Sequence, residues 1–235
     1  MKLSSLFTFV LISFITISAS CSEQLGGGDE KGNGGLIVYC SKDNINGTYQ
    51  TLDTYEAQRR YNAVLIVGKI SKGVGGVVSS MISEVRLYMP HFAQVLEAYY
   101  ESFWNEAMFL KDVNLVDTND SYHAFLEDHC KIKQAIVQQT PLIDGDPRYY
   151  VDVDNWGKLP IYEKGVLIFH ELVYRYLKSP SSLRVRRFIS MILSKELNSK
   201  SLRQRIGSLK RLGFVQFNFM GLPIDMTDKV MYSQL

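Results

Sequence analysis

The chain has 235 residues, with 26 Lys and Arg against 24 Asp and Glu and a net charge of +2. That balance excludes a chain built as a polyelectrolyte, and the length allows one domain or one domain with appendages. Hydrophobic residues make up 46% and aromatic residues 12% of it, ample for a packed core.

Residues 1–20 read as an export signal. Lys2 supplies the positive start, "LFTFVLISFITI" (6–17) the uncharged apolar run, and Ser18, Ala19 and Ser20 a small-residue cleavage site. The run falls short of the roughly 20 residues a membrane span needs, and no second long apolar stretch follows it. Cys21 comes directly after the cleavage site, and residues 21–35 form a Gly-rich polar tether. This arrangement resembles the bacterial lipoproteins, whose cysteine is acylated and becomes the new N-terminus. Ser18 stands where their lipobox carries leucine or another aliphatic residue. The resemblance implies a lipid at Cys21 and a place in the periplasm or at the outer membrane. Ordinary signal cleavage near Cys21 is the alternative.

Residues 36–235 are expected to form a single globular α+β domain, a small sheet packed against several helices. "LIVYC" (36–40) is a short β-type run, and residues 49–62 suit a helix carrying Leu52, Tyr55 and Ala57 among charges. "AVLIVG" (63–68) fits either helix or strand, and "GVGG" (73–76) is expected to break the chain; it lacks the Gly-Lys-Ser/Thr ending of a phosphate loop. Residues 77–87 and 91–110 are expected as a helical hairpin, punctuated at Pro90. From 113 to 154 the texture turns β-like, in "VNLV", "KIKQAIVQQ" and "RYYVDVD", between Asp-, Asn- and Gly-rich turns. Helices are expected again over 163–177, 182–197 and 201–212, then a last strand, "FVQFNF" (214–219). With Cys21 acylated, Cys40 and Cys130 remain, and export favours their pairing. Such a bridge would contribute on the order of 4 kcal/mol in the chain-entropy model, and two separate buried thiols are the alternative.

The stretch "GVLIFHELVYRYL" (165–177) carries the chemistry most open to question. His170 and Glu171 match the first ligand and the general base of H-E-x-x-H, and "YYVDVDNWGKLPIYEKGVLIFHEL" resembles the strand, turn and active-site helix of zincin metallopeptidases. Two histidines at i and i+4 share a helix face and grip one zinc ion, while the glutamate takes a proton from its bound water. Here the second ligand position holds Tyr174, whose protonated phenol is a poor ligand. Arg175 adds a charge that opposes a dication, and no histidine follows Glu171. The helix is apolar nearly all round, which marks it as buried. A buried Glu171 needs a partner, and Arg175 stands at i+4, with Arg184, Arg186 and Arg187 in the next helix as others. "HELVYR" is therefore expected as a structural brace of Glu171, Tyr174 and Arg175.

"GNGGLIVYC", "LDTYEA", "CKIKQAIVQ", "YVDVDNWGKLP" and "FHELVYRYL" with "RVRRFISMIL" together resemble a family of uncharacterised exported proteins, numerous in predatory Gram-negative bacteria. The resemblance implies the Cys40–Cys130 disulfide and an envelope location, and it implies no activity. Between Lys178 and Arg211 ten cations stand with one acid, Glu196, which reads either as a solvated face with one or two arginines turned inward to Glu171 or as a surface for an anionic envelope polymer or lipid headgroups; no motif supports nucleic acid. The favoured reading is an exported, lipid-anchored envelope protein with a degenerate zincin-like core, binding or structural in role and needing no cofactor. Two alternatives stand beside it. One is a divergent zinc-dependent hydrolase using His170 and Glu171; the other is a metal-free envelope-polymer hydrolase using Glu171 with a carboxylate such as Glu56.

Overall fold

A computed structural model of the protein describes residues 35–41, 47–66, 73–115, 124–177 and 182–214. The expected signal sequence, Cys21, the tether before Gly35 and the expected strand after Phe214 lie outside them. Strand β1 (Leu36–Cys40) runs through the middle of a first sheet, between β2 (Thr48–Thr51) and β4 (Cys130–Gln134), antiparallel to both. The register sets Cys40 opposite Cys130, and a disulfide joins them, with sulfurs 2.02 Å apart.

After one residue, Ala135, the chain enters β5 (Ile136–Gln138), which belongs to a second sheet. There β6 (Tyr149–Asp152) pairs antiparallel with β5 and parallel with β3 (Ala107–Leu110). The one small sheet of the sequence reading is thus two three-stranded sheets, and "KIKQAIVQQ" is split between them. Gly35 makes the switch possible. Its carbonyl accepts the N–H groups of Ala135 and Ile136, and a Cβ there would fall 2.5 Å from Ile136, at a φ of +59°.

Around the sheets lie α1 (Leu52–Arg59), α2 (Gly73–Arg86), α3 (Pro90–Phe103), α4 (Val153–Lys158), α5 (Ile161–Leu177), α6 (Leu183–Leu193) and α7 (Leu202–Arg211). Two expectations fail for the same reason, that tertiary partners override local signals. "GVGG" does not break the chain: it is the first turn of α2, because Val77 and Val78 behind it are buried in the main core. The helix expected over 91–110 stops at Phe103, because residues 107–110 pair with β6. Residues 63–66 are neither helix nor strand.

Helix α5 is the axis of the core, buried without interruption from residue 165 to 174. Gly165 lets α2 approach it closely, since a Cβ there would fall 2.5 Å from the side chain of Val77. Phe92 of α3, Phe188 of α6 and Phe214 close the far side with ring centroids 4.6–6.1 Å apart. A smaller cluster of Leu36, Val38, Leu52, Tyr55 and Cys130 joins the first sheet to α1. Among the described residues no helix is long and apolar enough to cross a membrane.

Candidate functional site

The polar residues of interest come from two helices that meet inside this core. Helix α1 begins where β2 ends: the Thr51 hydroxyl caps it by accepting from the Thr54 N–H at 3.2 Å. Asp53 and Glu56, three residues apart, share the helix side that meets α5 and α6. Both are buried, at 2% and 0% exposure. From α5 come Glu163 and His170, seven residues apart and so on one face, with Glu171 beside them.

Each carboxyl group is held differently. Glu163 Oε2 accepts from the Thr51 N–H at 2.8 Å, the Thr51 hydroxyl at 2.9 Å and the Thr54 hydroxyl at 2.8 Å. Burial nevertheless pushes its pKa above the ordinary range, against these hydrogen bonds. His170 Nδ1 lies 2.9 and 3.1 Å from the two oxygens of Asp53. A carboxylate only accepts, so Nδ1 carries a proton and donates. Burial pulls the imidazole toward neutrality, yet the charge and hydrogen bond of Asp53 outweigh it and raise the pKa. Glu171 is fully buried, and that burial pushes its pKa up to about 8, opposed by the His170 charge and assisted by Asp53. It is therefore protonated at neutral pH. With its nitrogen turned toward Glu171, the Gln138 amide donates to Oε2 at 3.1 Å and to the Glu171 carbonyl at 3.2 Å. Glu171 Oε1 and His170 Nε2 have no hydrogen-bond partner among the described residues.

The third pair is Glu56 with Arg186, Oε2 to Nε at 2.9 Å, both essentially without exposure. Arg186 also bonds the Ser182 hydroxyl, and Glu56 Oε1 accepts from the N–H of Phe125 at 3.1 Å. The centre thus joins Asp53 to His170 and Glu56 to Arg186, beside Glu171, which burial keeps neutral; Arg60 reaches the other Glu56 oxygen at 3.4 Å.

The brace read from the sequence is placed differently. Arg175 does not reach back to Glu171: it bonds Glu106 at 2.9 Å and lies 4.0 Å above the Tyr99 ring, at the half-buried end of the helix. Burial raises the Glu106 pKa, but the Ser102 hydrogen bond and the charges of Arg175 and Arg148 bring it below the ordinary value. Tyr174 stacks on His170, rings 8° from parallel with centroids 6.2 Å apart. Glu56, considered as a catalytic partner of Glu171, is bound to Arg186 instead. Of the arginines considered for Glu171, Arg186 turns inward to Glu56 and Arg187 to Glu196 at 2.7 Å.

The zincin geometry does not assemble at His170, whose described neighbours offer no converging ligands. Among the described residues the donors close enough to share one ion are Cys40, His129 and Cys130, within 4.8 Å of one another, and the two sulfurs there are already bonded together. His91 is exposed at the start of α3, and His123 lies outside the described residues. A cavity of about 90 Å³ opens elsewhere, lined by Ile66, Met81, Glu84, Tyr162 and Lys195 among others, with none of the buried acids or His170 in its wall.

Asp53, Glu163 and Gln138 escaped the sequence reading. The signal for Asp53 was present in "LDTYEA", two acids inside an otherwise buried helical turn. For Gln138, at a strand end, nothing local marked it. No protein-family model, curated protein or solved structure matches the chain.

Proposed function

We propose that this protein is an exported cell-envelope protein, held to a membrane by a lipid on Cys21, whose work is binding or structural and in which the His170–Glu171 helix is an internal polar brace. The observation that carries this reading is the burial of His170 and Glu171, at 3% and 0% exposure, among side chains of the protein's own core. A general base or metal ligand must reach a substrate or an ion. These groups reach α1 through Asp53 and β5 through Gln138. Holding α1 against α5 through Asp53 and against α6 through Glu56 ties the first sheet to the helical core, which is what a brace does.

The test uses the mature chain from Cys21, purified without a histidine tag, beside His170→Ala. Neither protein is expected to hold zinc. His170→Ala leaves the Asp53 carboxylate buried without its cation and is expected to lose about 3–5 kcal/mol of stability. Stoichiometric zinc in the first protein, missing from the second, would replace this reading with the metal-dependent hydrolase. For the anchor, a fatty acid carrying a click handle is expected to label the wild-type protein in cells of the source bacterium and not Cys21→Ser. Label in neither refutes the lipid.

A further inference from the structure

We infer that the solvent face of α7 docks on an anionic bilayer surface, an inference that rests on the envelope location proposed above for its supply of such a bilayer. Helix α7 turns Ile206 and Leu209 into the core. Arg203, Gly207, Lys210 and Arg211, spaced i, i+4, i+7 and i+8, share one face alongside that buried stripe, with the three cations exposed. The Arg211 guanidinium lies over Gly207, 3.8 Å from where a Cβ would be. Arg184 adds a fourth cation at the C-terminal end, 3.6 Å from the Cβ position of Gly213.

Ordinary folding accounts for the other described cations of this region: Arg205 donates to the Leu197 and Asn198 carbonyls at 2.8 and 3.3 Å. Arg187 and Lys200 share Glu196 at 2.7 and 3.2 Å, Lys195 faces Glu84 at 3.9 Å, and Arg186 belongs to the buried centre. Among the described residues, Arg184, Arg203, Lys210 and Arg211 have no carboxylate at ion-pair distance. Helix stability explains only part of their placing. Lys210 and Arg211 suit the negative end of the α7 dipole, but Arg203 stands in its first turn, where a cation is disfavoured and no acid offsets it. Arg184 stands likewise in the first turn of α6, which has no acid there either. Exposed cations without carboxylate partners on one helix face complement an anionic headgroup layer.

The experiment uses the full mature chain carrying Cys21→Ser, so that failure of acylation cannot alter the result. Flotation is measured with vesicles of phosphatidylcholine alone and of phosphatidylcholine with phosphatidylglycerol. Binding is expected on the anionic vesicles only and is expected to fall with added salt. The combined change Arg203→Gln, Lys210→Gln, Arg211→Gln is expected to weaken it by on the order of 100-fold, from about 1 kcal/mol per charge, with the melting temperature unchanged. Equal binding to neutral vesicles, a triple variant that binds like the parent, or binding to isolated wall polymer without vesicle binding would each overturn the inference.

Discussion

Replacing Glu171 by glutamine tests the electrostatics of the buried centre directly. The unfolded chain releases the Glu171 proton near the ordinary value of 4.5, whereas the folded protein keeps it up to about 8 because burial penalises the carboxylate. A folded-state pKa raised in this way gives a contribution fully present below 4.5 and lost as the pH rises to about 8. At ~1.4 kcal/mol per pH unit the loss comes to ~5 kcal/mol, and full burial leaves no solvent screening to discount it. Glutamine has the shape of the neutral acid, still accepts from Gln138, and never ionises. Wild-type and Glu171→Gln proteins are therefore expected to melt together near about pH 5 and to diverge as the pH rises. By about pH 9 the variant should melt some 10 to 20 °C higher, at ~2–4 °C per kcal/mol for a domain of this size. Glu163, whose pKa is also raised, makes both proteins lose stability with rising pH, and that part cancels; His170 is raised in part by the Glu171 charge itself, so the comparison reads these two groups together. The assay is thermal unfolding by circular dichroism across this range. Parallel curves would refute the reasoning, as would a variant destabilised at every pH.

Arg186→Met removes the buried cation from a Glu56 carboxylate that has no exposure, leaving it the partly exposed Arg60 at 3.4 Å, and the expected loss is about 3 kcal/mol in urea unfolding. Adding Glu56→Met should restore most of it, because an apolar pair requires no buried charge; a single variant within about 1 kcal/mol of wild type would show the pair to be dispensable. The Cys40–Cys130 disulfide closes a loop of sequence separation 90, so reduction should cost about 4–5 kcal/mol in the chain-entropy model. A reductant should lower the urea midpoint of wild type and leave Cys40→Ser/Cys130→Ser unmoved, and equal midpoints for wild type with and without it would count against the estimate.

The sequence alone determined the features that are local. The apolar run around "GVLIFHELV" marked α5 as a buried helix, since residues apolar on all sides have no solvent face to offer. Leu36–Cys40 read as a strand, residues 201–212 read as a helix, and the two kinds of element together read as α+β, from period and turn chemistry within short windows. Where two periods fit the same few residues, as at Ala107–Leu110, the strand appeared only once β6 was present to pair with it. The single-residue step between the sheets at Ala135 had no local mark either, because it depends on the Gly35 carbonyl one hundred positions earlier. The partners of the polar residues were least legible. Arg175 stood at the right spacing for Glu171, and i,i+4 spacing is only permission to meet; Glu106 claimed it instead. Asp53 is 117 positions from His170, and Glu56 is 130 from Arg186. A buried charge must find a countercharge, which the sequence can state. Which countercharge it finds depends on how the helices pack, and that the tertiary structure alone decided.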